Sequence, residues 1–440
     1  MKRITIALML ILLVSSVWAT GKTETVTQNG GFPGTLTLGV QGGDRQAGFD
    51  KNGKFIPEDE RSDDLMYWRD LILAGFPYNV EIRNYAADST TIKLDADIAG
   101  GDAPDVYWDY LGRVNKYANS KYAVPINLTF EELDDYLPSS LIPVMKDGEL
   151  YALPGTFWAA IMVVNKTLIE SVGLGNILAD RSWTISEYLM VVDTVQQKYG
   201  DEYYGYVLFA AGTGGDYWSS FGWMSAFGAK LYDNGKIVVD SEEGIKALEF
   251  MQLMNESGIA MPGAAGLDYK ANLSAMVNGN VVAAGNSSNI AFTPLELKDG
   301  SGFIEAYIME WPRAPGITEV PVAVGPDAGM VFASTQHELE SKELLRYINS
   351  TKVQQMICKA NGRFASRKSI GNVVKNNPAW ITATDIINRN GTFDTGVGLE
   401  KYSEVRNLWP PTLQAIFTGE LTVTEAIKRF KDEGTAILED

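Results

Sequence analysis

One histidine, His337, and one cysteine, Cys358, are all the imidazole and thiol chemistry that this 440-residue chain holds. Those counts exclude an internal disulfide, a Cys/His zinc cluster and a two-histidine metal centre, so neither metal nor cofactor is expected. A nucleophile–histidine arrangement would have to use His337, which lies in the polar stretch Ser334–Ser341 and reads as a solvated residue at a helix entry. Cys358, between Ile357 and Lys359 in an apolar-periodic segment, reads as a small buried hydrophobe. What remains for chemistry is carboxylates, guanidiniums and large aromatics. Asp109 and Arg113 stand four residues apart just beyond the apolar run 105–108. Charge buried at a strand end requires a partner, and loops beyond strand C-termini line the clefts of open α/β sheets, so both read as ligand contacts. Trp108, in the same rim, reads either as a contact or as core. The run Gly212-Thr-Gly-Gly-Asp-Tyr-Trp218 presents Asp216 and Trp218. Its glycines suggest a phosphate cradle, but no Lys-Ser/Thr follows, as that chemistry demands.

The elements that would position these residues follow from pattern. Lys plus Arg number 37 against 55 Asp plus Glu, a net charge of −18, and no run of Lys or Arg exceeds two. Nucleic acid is therefore excluded as a partner, because phosphate binding needs clustered positive charge. Hydrophobic content of 45% with ten Trp describes a folded protein of two or three domains. Met1-Lys-Arg3, the apolar run to Trp18 and the small Ala19 read as a signal peptide over 1–19, followed by a flexible leader over 20–34; export and solubility after cleavage are expected. No cysteine stands at the cleavage point to carry an acyl anchor. From Thr35 onward short β-like runs alternate with amphipathic helical windows, which implies an α/β protein with largely parallel sheets. Strands are expected at 35–40, 79–85 and 105–108, with helices at 65–72, 90–99, 185–199 and 241–257 and one opening after Thr422. Thr184-Ile-Ser-Glu187 and Thr422-Val-Thr-Glu425 are capping boxes. The absence of a Pro/Ser linker in mid-chain fits two lobes joined by several backbone crossings.

Four blocks of the chain resemble the bacterial extracellular solute-binding proteins of family 1, the sugar-binding components of ABC importers. Ile98-Ala-Gly-Gly-Asp-Ala-Pro-Asp-Val-Tyr-Trp108 is similar to the family's turn into its third strand. Lys146–Pro154, Val164-Asn-Lys-Thr-Leu168 and Val172-Gly-Leu174 resemble its crossover. Ser182–Tyr188 with Val277-Asn-Gly-Asn280 forms the third block, and Thr418–Ile427 the fourth. Their order and spacing across most of the chain are more specific than any one of them. The sequence departs from the pattern at Val164, where a Tyr is usual, and at Ser287-Ser-Asn289, where a Trp is usual.

The resemblance implies a two-lobed periplasmic-binding-protein fold of type II, with lobe one at 34–155 plus 327–372 and lobe two at 156–326 plus 373–435. It implies a carbohydrate ligand, by expectation an oligosaccharide, in the interlobe cleft, a transmembrane permease as partner, and a monomer that makes and breaks no bond. By alignment, Asp44 and Arg45 match a polar loop that touches sugar, Trp158 replaces an acidic contact, Asp216 and Trp218 match an acidic and an aromatic contact, and Arg406 matches a C-terminal aromatic one. Asn289 stands in for the stacking Trp. Two rivals stay open. Asp109 and Asp216 are nominally a glycosidase pair in a secreted carbohydrate-active enzyme, and the same fold could take a peptide, a polyamine or another polar solute.

Overall fold

The computed structural model describes residues 32–41, 73, 75–85, 89–118, 122–212, 214–287, 295–296, 303–304, 307–361, 363–371 and 378–440. The expected signal peptide and the helix over 65–72 lie outside them. Strand β1 (Thr35–Gln41) buries Leu36, Leu38 and Val40 and pairs in parallel with β2 (Asn79–Tyr85) on one side and β3 (Val106–Tyr110) on the other. All five residues of β3 are buried, as befits a strand covered on both faces. The remaining strands of the same nine-stranded sheet are β4 (Leu153–Val164), β5 (Ala283–Ser287), β6 (Tyr307–Met309), β7 (Val322–Val331), β8 (Phe364–Ala365) and β9 (Thr392–Phe393). The spatial order is β6-β4-β7-β3-β1-β2, with β5 and β8 also on β4 and β9 on β7.

The expectation of largely parallel sheets is corrected here. Among the described strands of this sheet, only β1–β2, β1–β3 and β7–β9 are parallel, whereas β7 runs antiparallel to both β3 and β4, and β4 antiparallel to β5, β6 and β8. The reason lies in β4 and β7, each of which serves two sets of neighbours. Leu153–Ala159 of β4 pairs with β7, while Ala160–Val164 pairs with β5. Val322–Ala323 of β7 pairs with β9, while Asp327–Val331 pairs with β3. Long strands that cross between two sets of strands and return in opposite directions meet as antiparallel neighbours and need no helical crossover. The body so built is Thr35–Asp440.

Local signals set the helices. α1 (Thr90–Ala99), α3 (Ile185–Tyr199), α4 (Glu242–Glu256) and α9 (Val423–Glu439) stand where periodicity placed them. In both capping boxes the threonine oxygen accepts from the N3 amide, Glu187 or Glu425, and the glutamate accepts from the threonine amide. α2 (Leu111–Ala118) follows β3 without a loop, α5 (Tyr269–Asn278) carries the aromatic Tyr269 at its start, and α8 (Tyr402–Arg406) ends on Arg406. His337 precedes α6 (Glu338–Ile348), as read from the sequence, and Cys358 is buried within α7 (Thr351–Asn361).

β3 runs two residues past the expected end, because Asp109 and Tyr110 pair in register with Ala328 and Asp327 of β7. Trp108, only 3% exposed, lies with its ring over Gly155 and Gly329 and does not reach the cleft. Both glycines give that ring the space a side chain would fill. A Cβ on Gly329 would lie 2.5 Å from Trp108 and 2.5 Å from Leu345. Gly329→Ala is therefore expected to lower the unfolding free energy by about 1–3 kcal/mol, measured by urea denaturation; an unchanged midpoint would show that the ring has room to move.

Candidate functional site

The site is assembled from the end of β3 outward. Asp109, 1% exposed, points back over α2, whose third residue is Arg113. The spacing of four places the guanidinium against the carboxylate in a two-pronged pair, Nε to Oδ2 at 2.6 Å and Nη2 to Oδ1 at 2.8 Å. The Tyr107 hydroxyl donates to Oδ2 at 2.5 Å and the Tyr110 amide to Oδ1 at 2.6 Å. That fills the roughly four lone-pair positions a carboxylate offers.

A second pair repeats the geometry from other elements. Asp216 opens the π-helical turn Asp216–Ser220 and accepts from the Tyr217 amide at 2.8 Å, from Arg406 Nη2 at 3.0 Å and from Arg406 Nε. Arg406 is therefore no solvated helix charge. Both guanidiniums flank the ring of Tyr110, with carbon-to-centroid distances of 5.7 Å for Arg113 and 5.3 Å for Arg406, and Arg406 also lies 5.4 Å from the Tyr217 ring. The two arginine side chains are 19% and 20% exposed while their carboxylates are 0% and 4%, so the pairs present their cationic edge outward. Beneath them the hydroxyls of Tyr110, Tyr217 and Tyr402 form a triangle with sides of 2.6, 2.8 and 3.2 Å, and Tyr217 donates onward to Thr395 Oγ1 at 3.0 Å.

A third pair, Asp327 with Arg363, stands beside the first. The first and third pairs and Arg406 of the second line one cavity of about 300 Å³. Its other wall is aromatic: Trp158 to Trp218 at 5.1 Å, Trp158 to Tyr217 at 5.0 Å and Trp218 to Tyr269 at 4.5 Å between ring centroids. The Trp158 ring lies directly over Gly325 of β7, a position where any Cβ would collide with it. Gln41, at the end of β1, and Ser287, at the end of β5, complete the rim. A larger hollow of about 630 Å³ between α1, α2, α8 and α9 has rims formed largely by surface charges such as the Lys116–Asp95 pair, and lacks the buried ionised groups of the smaller one. Chemistry, not size, selects the site.

Electrostatics keeps these groups in defined states. Burial opposes the charge on Arg113 and Arg406, and the adjoining Asp109 and Asp216 more than restore it, so both guanidiniums are held even more firmly protonated than usual. Burial raises the Tyr110, Tyr217 and Tyr402 hydroxyls above their ordinary value, which keeps the triangle neutral. The Asp327 carboxyl is pushed up to about 6 by burial; Arg363 opposes this and the charge of Asp109 adds to it. Among the described residues no three His, Cys, Asp or Glu gather as metal ligands would.

Five residues singled out from the sequence, Asp109, Arg113, Trp158, Trp218 and Arg406, therefore line one cavity, and a sixth, Asp216, holds Arg406 from behind. Trp108 is corrected to core. Asp44, Arg45 and Asn289 lie outside the described residues. The sequence reading missed Tyr110, Tyr217, Tyr269, Asp327 and Arg363. For Asp327 a signal existed, since Pro326-Asp327 interrupts an otherwise apolar strand, and Pro within a sheet marks a bulge or an edge.

Two outcomes follow from this arrangement. Arg406→Met strands the Asp216 carboxylate and should cost about 3 kcal/mol of unfolding free energy in a urea titration; a loss below about 1 kcal/mol would mean that water reaches Asp216 freely. Asp327 holds a proton in the fold at pH values where the unfolded chain, near 3.8, has lost it. Its contribution is then fully present below the unfolded value and lost as pH rises to about 6. Relative to Asp327→Asn, the parent protein should lose stability from about pH 4 to about pH 6 and then level off, with thermal unfolding across that range as the measurement.

The family described as "Bacterial extracellular solute-binding protein" matches residues 74–384, well over half of the chain. A curated relative, the arabinooligosaccharide-binding protein of Halalkalibacterium halodurans, is 26% identical over 159 residues, and this match spans 35% of the chain and only 33% of that relative's length. Among solved structures, the GacH receptor of Streptomyces glaucescens, studied unliganded and with acarbose, superposes with a TM-score of 0.74 at 17% identity, over 92% of this chain and 98% of its own. Maltose-bound MalE3 of T. maritima gives 0.73 at 19%, and a solute-binding protein of Thermotoga lettingae bound to α-D-tagatose gives 0.70 at 19%, each over 92% of this chain and 99% of its own. Likeness at these identities speaks to the fold, which is the two-lobed one of periplasmic binding proteins.

Proposed function

Because the chain belongs to the bacterial extracellular solute-binding proteins, we propose that it captures a carbohydrate, and by preference an oligosaccharide, in the cavity around Tyr110 and delivers it to the permease of an ABC importer. The observation that carries the reading is the composition of the cavity: paired charges whose arginine edges face outward, set opposite the Trp158–Trp218–Tyr269 wall. Sugars have hydroxyl edges and apolar C–H faces, and such a site offers hydrogen-bond donors for the first and aromatic planes for the second. The relatives named above bind arabino-oligosaccharide, acarbose, maltose and tagatose, which supports the same class of ligand here.

In this reading the lobes are 34–155 plus 327–372 and 156–326 plus 373–435. Asp109 and Arg113 come from the first; Trp158, Asp216, Trp218 and Arg406 come from the second. The ligand bridges the two and shifts a hinge equilibrium toward the closed form that a permease recognises. β4 and β7, which change partners at 159–160 and 323–327, are the strands that cross the hinge. The protein acts outside the cytoplasm as a monomer, without turnover. No helix among the described residues is long and apolar enough to cross a membrane.

A thermal-shift screen over maltose, acarbose, tagatose and arabino-oligosaccharides tests the ligand class, since a compound that binds only the folded state raises the melting temperature. At least one should do so; a peptide or polyamine doing so while all saccharides fail would overturn the carbohydrate reading. The saccharide that binds should be recovered intact after prolonged incubation, and a cleaved product would reassign the protein as an enzyme. Trp158→Ala and Trp218→Ala are each expected to weaken binding by about tenfold in calorimetry, the equivalent of about 1.4 kcal/mol.

A further inference from the structure

Of the three paired carboxylates, two accept from both prongs of their arginine and one from a single prong. Asp109 accepts four hydrogen bonds from its own chain and Asp216 accepts three. Asp327 uses Oδ2 alone, for Arg363 Nη1 and, at 3.4 Å, for the Thr156 hydroxyl. Among the described residues its Oδ1 accepts nothing. Arg363 is built the same way: Nη1 is bonded to Asp327, while Nε and Nη2 donate to no described residue. Among the described residues the pair is thus single-pronged where the other two are double, and it leaves an acceptor on Asp327 and donors on Arg363 without a partner.

Both residues are more than nine-tenths buried, at 6% and 8% exposure, and both line the cavity. The backbone is shaped for this. The register between β7 and β4 slips here, with Gly155 and Thr156 of β4 standing opposite Asp327 alone, so Asp327 faces a bulge of the neighbouring strand, where the ladder is locally interrupted. Neither group belongs to the fully enclosed polar atoms, so both face the cavity and keep hydrogen-bonding capacity for what enters it, and a ligand that meets the two together replaces water on both.

We infer that Asp327 and Arg363 form a hydroxyl-reading subsite, resting on the saccharide reading above: one sugar hydroxyl donates to Asp327 Oδ1 and accepts from Arg363, and a carboxylate or an ammonium in its place is refused. A hydroxyl is both donor and acceptor, so it fits the pair whole. A carboxylate suits Arg363 but sets an anion against Asp327. An ammonium suits Asp327 but sets a cation against Arg363. The subsite therefore selects neutral sugars over uronic acids and amino sugars. It also acquires a pH dependence, because burial lifts the Asp327 carboxyl to about 6 against the lowering influence of Arg363, Thr156 and Arg113, with the charge of Asp109 adding to the rise. Once protonated, Asp327 becomes a donor and no longer repels a uronate.

The test takes each saccharide that stabilises the full-length protein in the screen, its uronic-acid counterpart and its amino-sugar counterpart, and measures affinity by calorimetry. For Asp327→Asn, neutral-sugar binding should weaken by about tenfold or more and the preference for neutral sugar over uronate should shrink. For Arg363→Gln the discrimination against the amino sugar should shrink instead. With the parent protein alone, the neutral-to-uronate affinity ratio should be smaller at about pH 5 than at about pH 7.5, either side of the Asp327 value, and this needs no variant to fold. If the parent protein binds neutral saccharide but the ratio is flat with pH and folded variants keep the parent affinities, the subsite is wrong while the carbohydrate reading stands. If no saccharide binds the parent protein, both fall together.

Discussion

A carboxylate withdrawn from water must be neutralised within hydrogen-bonding distance, and the cleft of this protein is organised by meeting that requirement three times. Desolvation of an unpaired ion costs several kcal/mol, more than any single contact returns, so each buried aspartate brings an arginine with it. Asp109 draws Arg113 from the helix that follows its own strand, Asp216 draws Arg406 from a segment 190 residues away, and Asp327 draws Arg363. The first two pairs then share the Tyr110 ring, whose face attracts both cations and whose hydroxyl is tied to Tyr217 and Tyr402. Pairing thus fixes the positions of the arginines before any ligand arrives, and a preorganised donor loses little freedom on binding.

The same sites explain why the sheet is mixed. A cleft between two halves needs chain that belongs to both, and β4 and β7 supply it by exchanging partners along their length. Asp327 lies where β7 changes partners, and Thr156 and Trp158 lie in the part of β4 that runs beside β7. Residues placed there stand at the floor of the cleft whichever half they are assigned to. Gly325 and Gly329 are small for the same reason, since Trp158 and Trp108 occupy the space above them.

Much of the local structure was legible in advance. The capping boxes at Thr184 and Thr422 located two helices to the residue, because an N-cap hydroxyl and an N3 carboxylate satisfy amides within one turn and need nothing from the rest of the fold. Asp109 and Arg113 were likewise visible as a pair of charges at a strand end that requires partners, although that one is the partner of the other came only with the helix that follows β3 at once. Trp108 was misjudged between core and rim because alternation along β3 says only that neighbours face opposite sides. With both faces of the strand covered, neither side is the solvent side.

The sequence by itself determined the short-range geometry: where helices begin, which residues of β1 point inward, and that a single thiol and a single imidazole are too few for a disulfide, a Cys/His zinc cluster or a two-histidine centre. Tertiary structure alone decided the rest of the site. Arg406 reaches Asp216 across 190 residues of chain, and the three tyrosine hydroxyls come from segments more than a hundred residues apart. Whether Asp327 faces water, a partner or a cavity depends on its place between β3 and the interrupted ladder of β4. Such choices are made by the register of neighbouring strands and by the burial of charge, both of which exist only once distant segments have met.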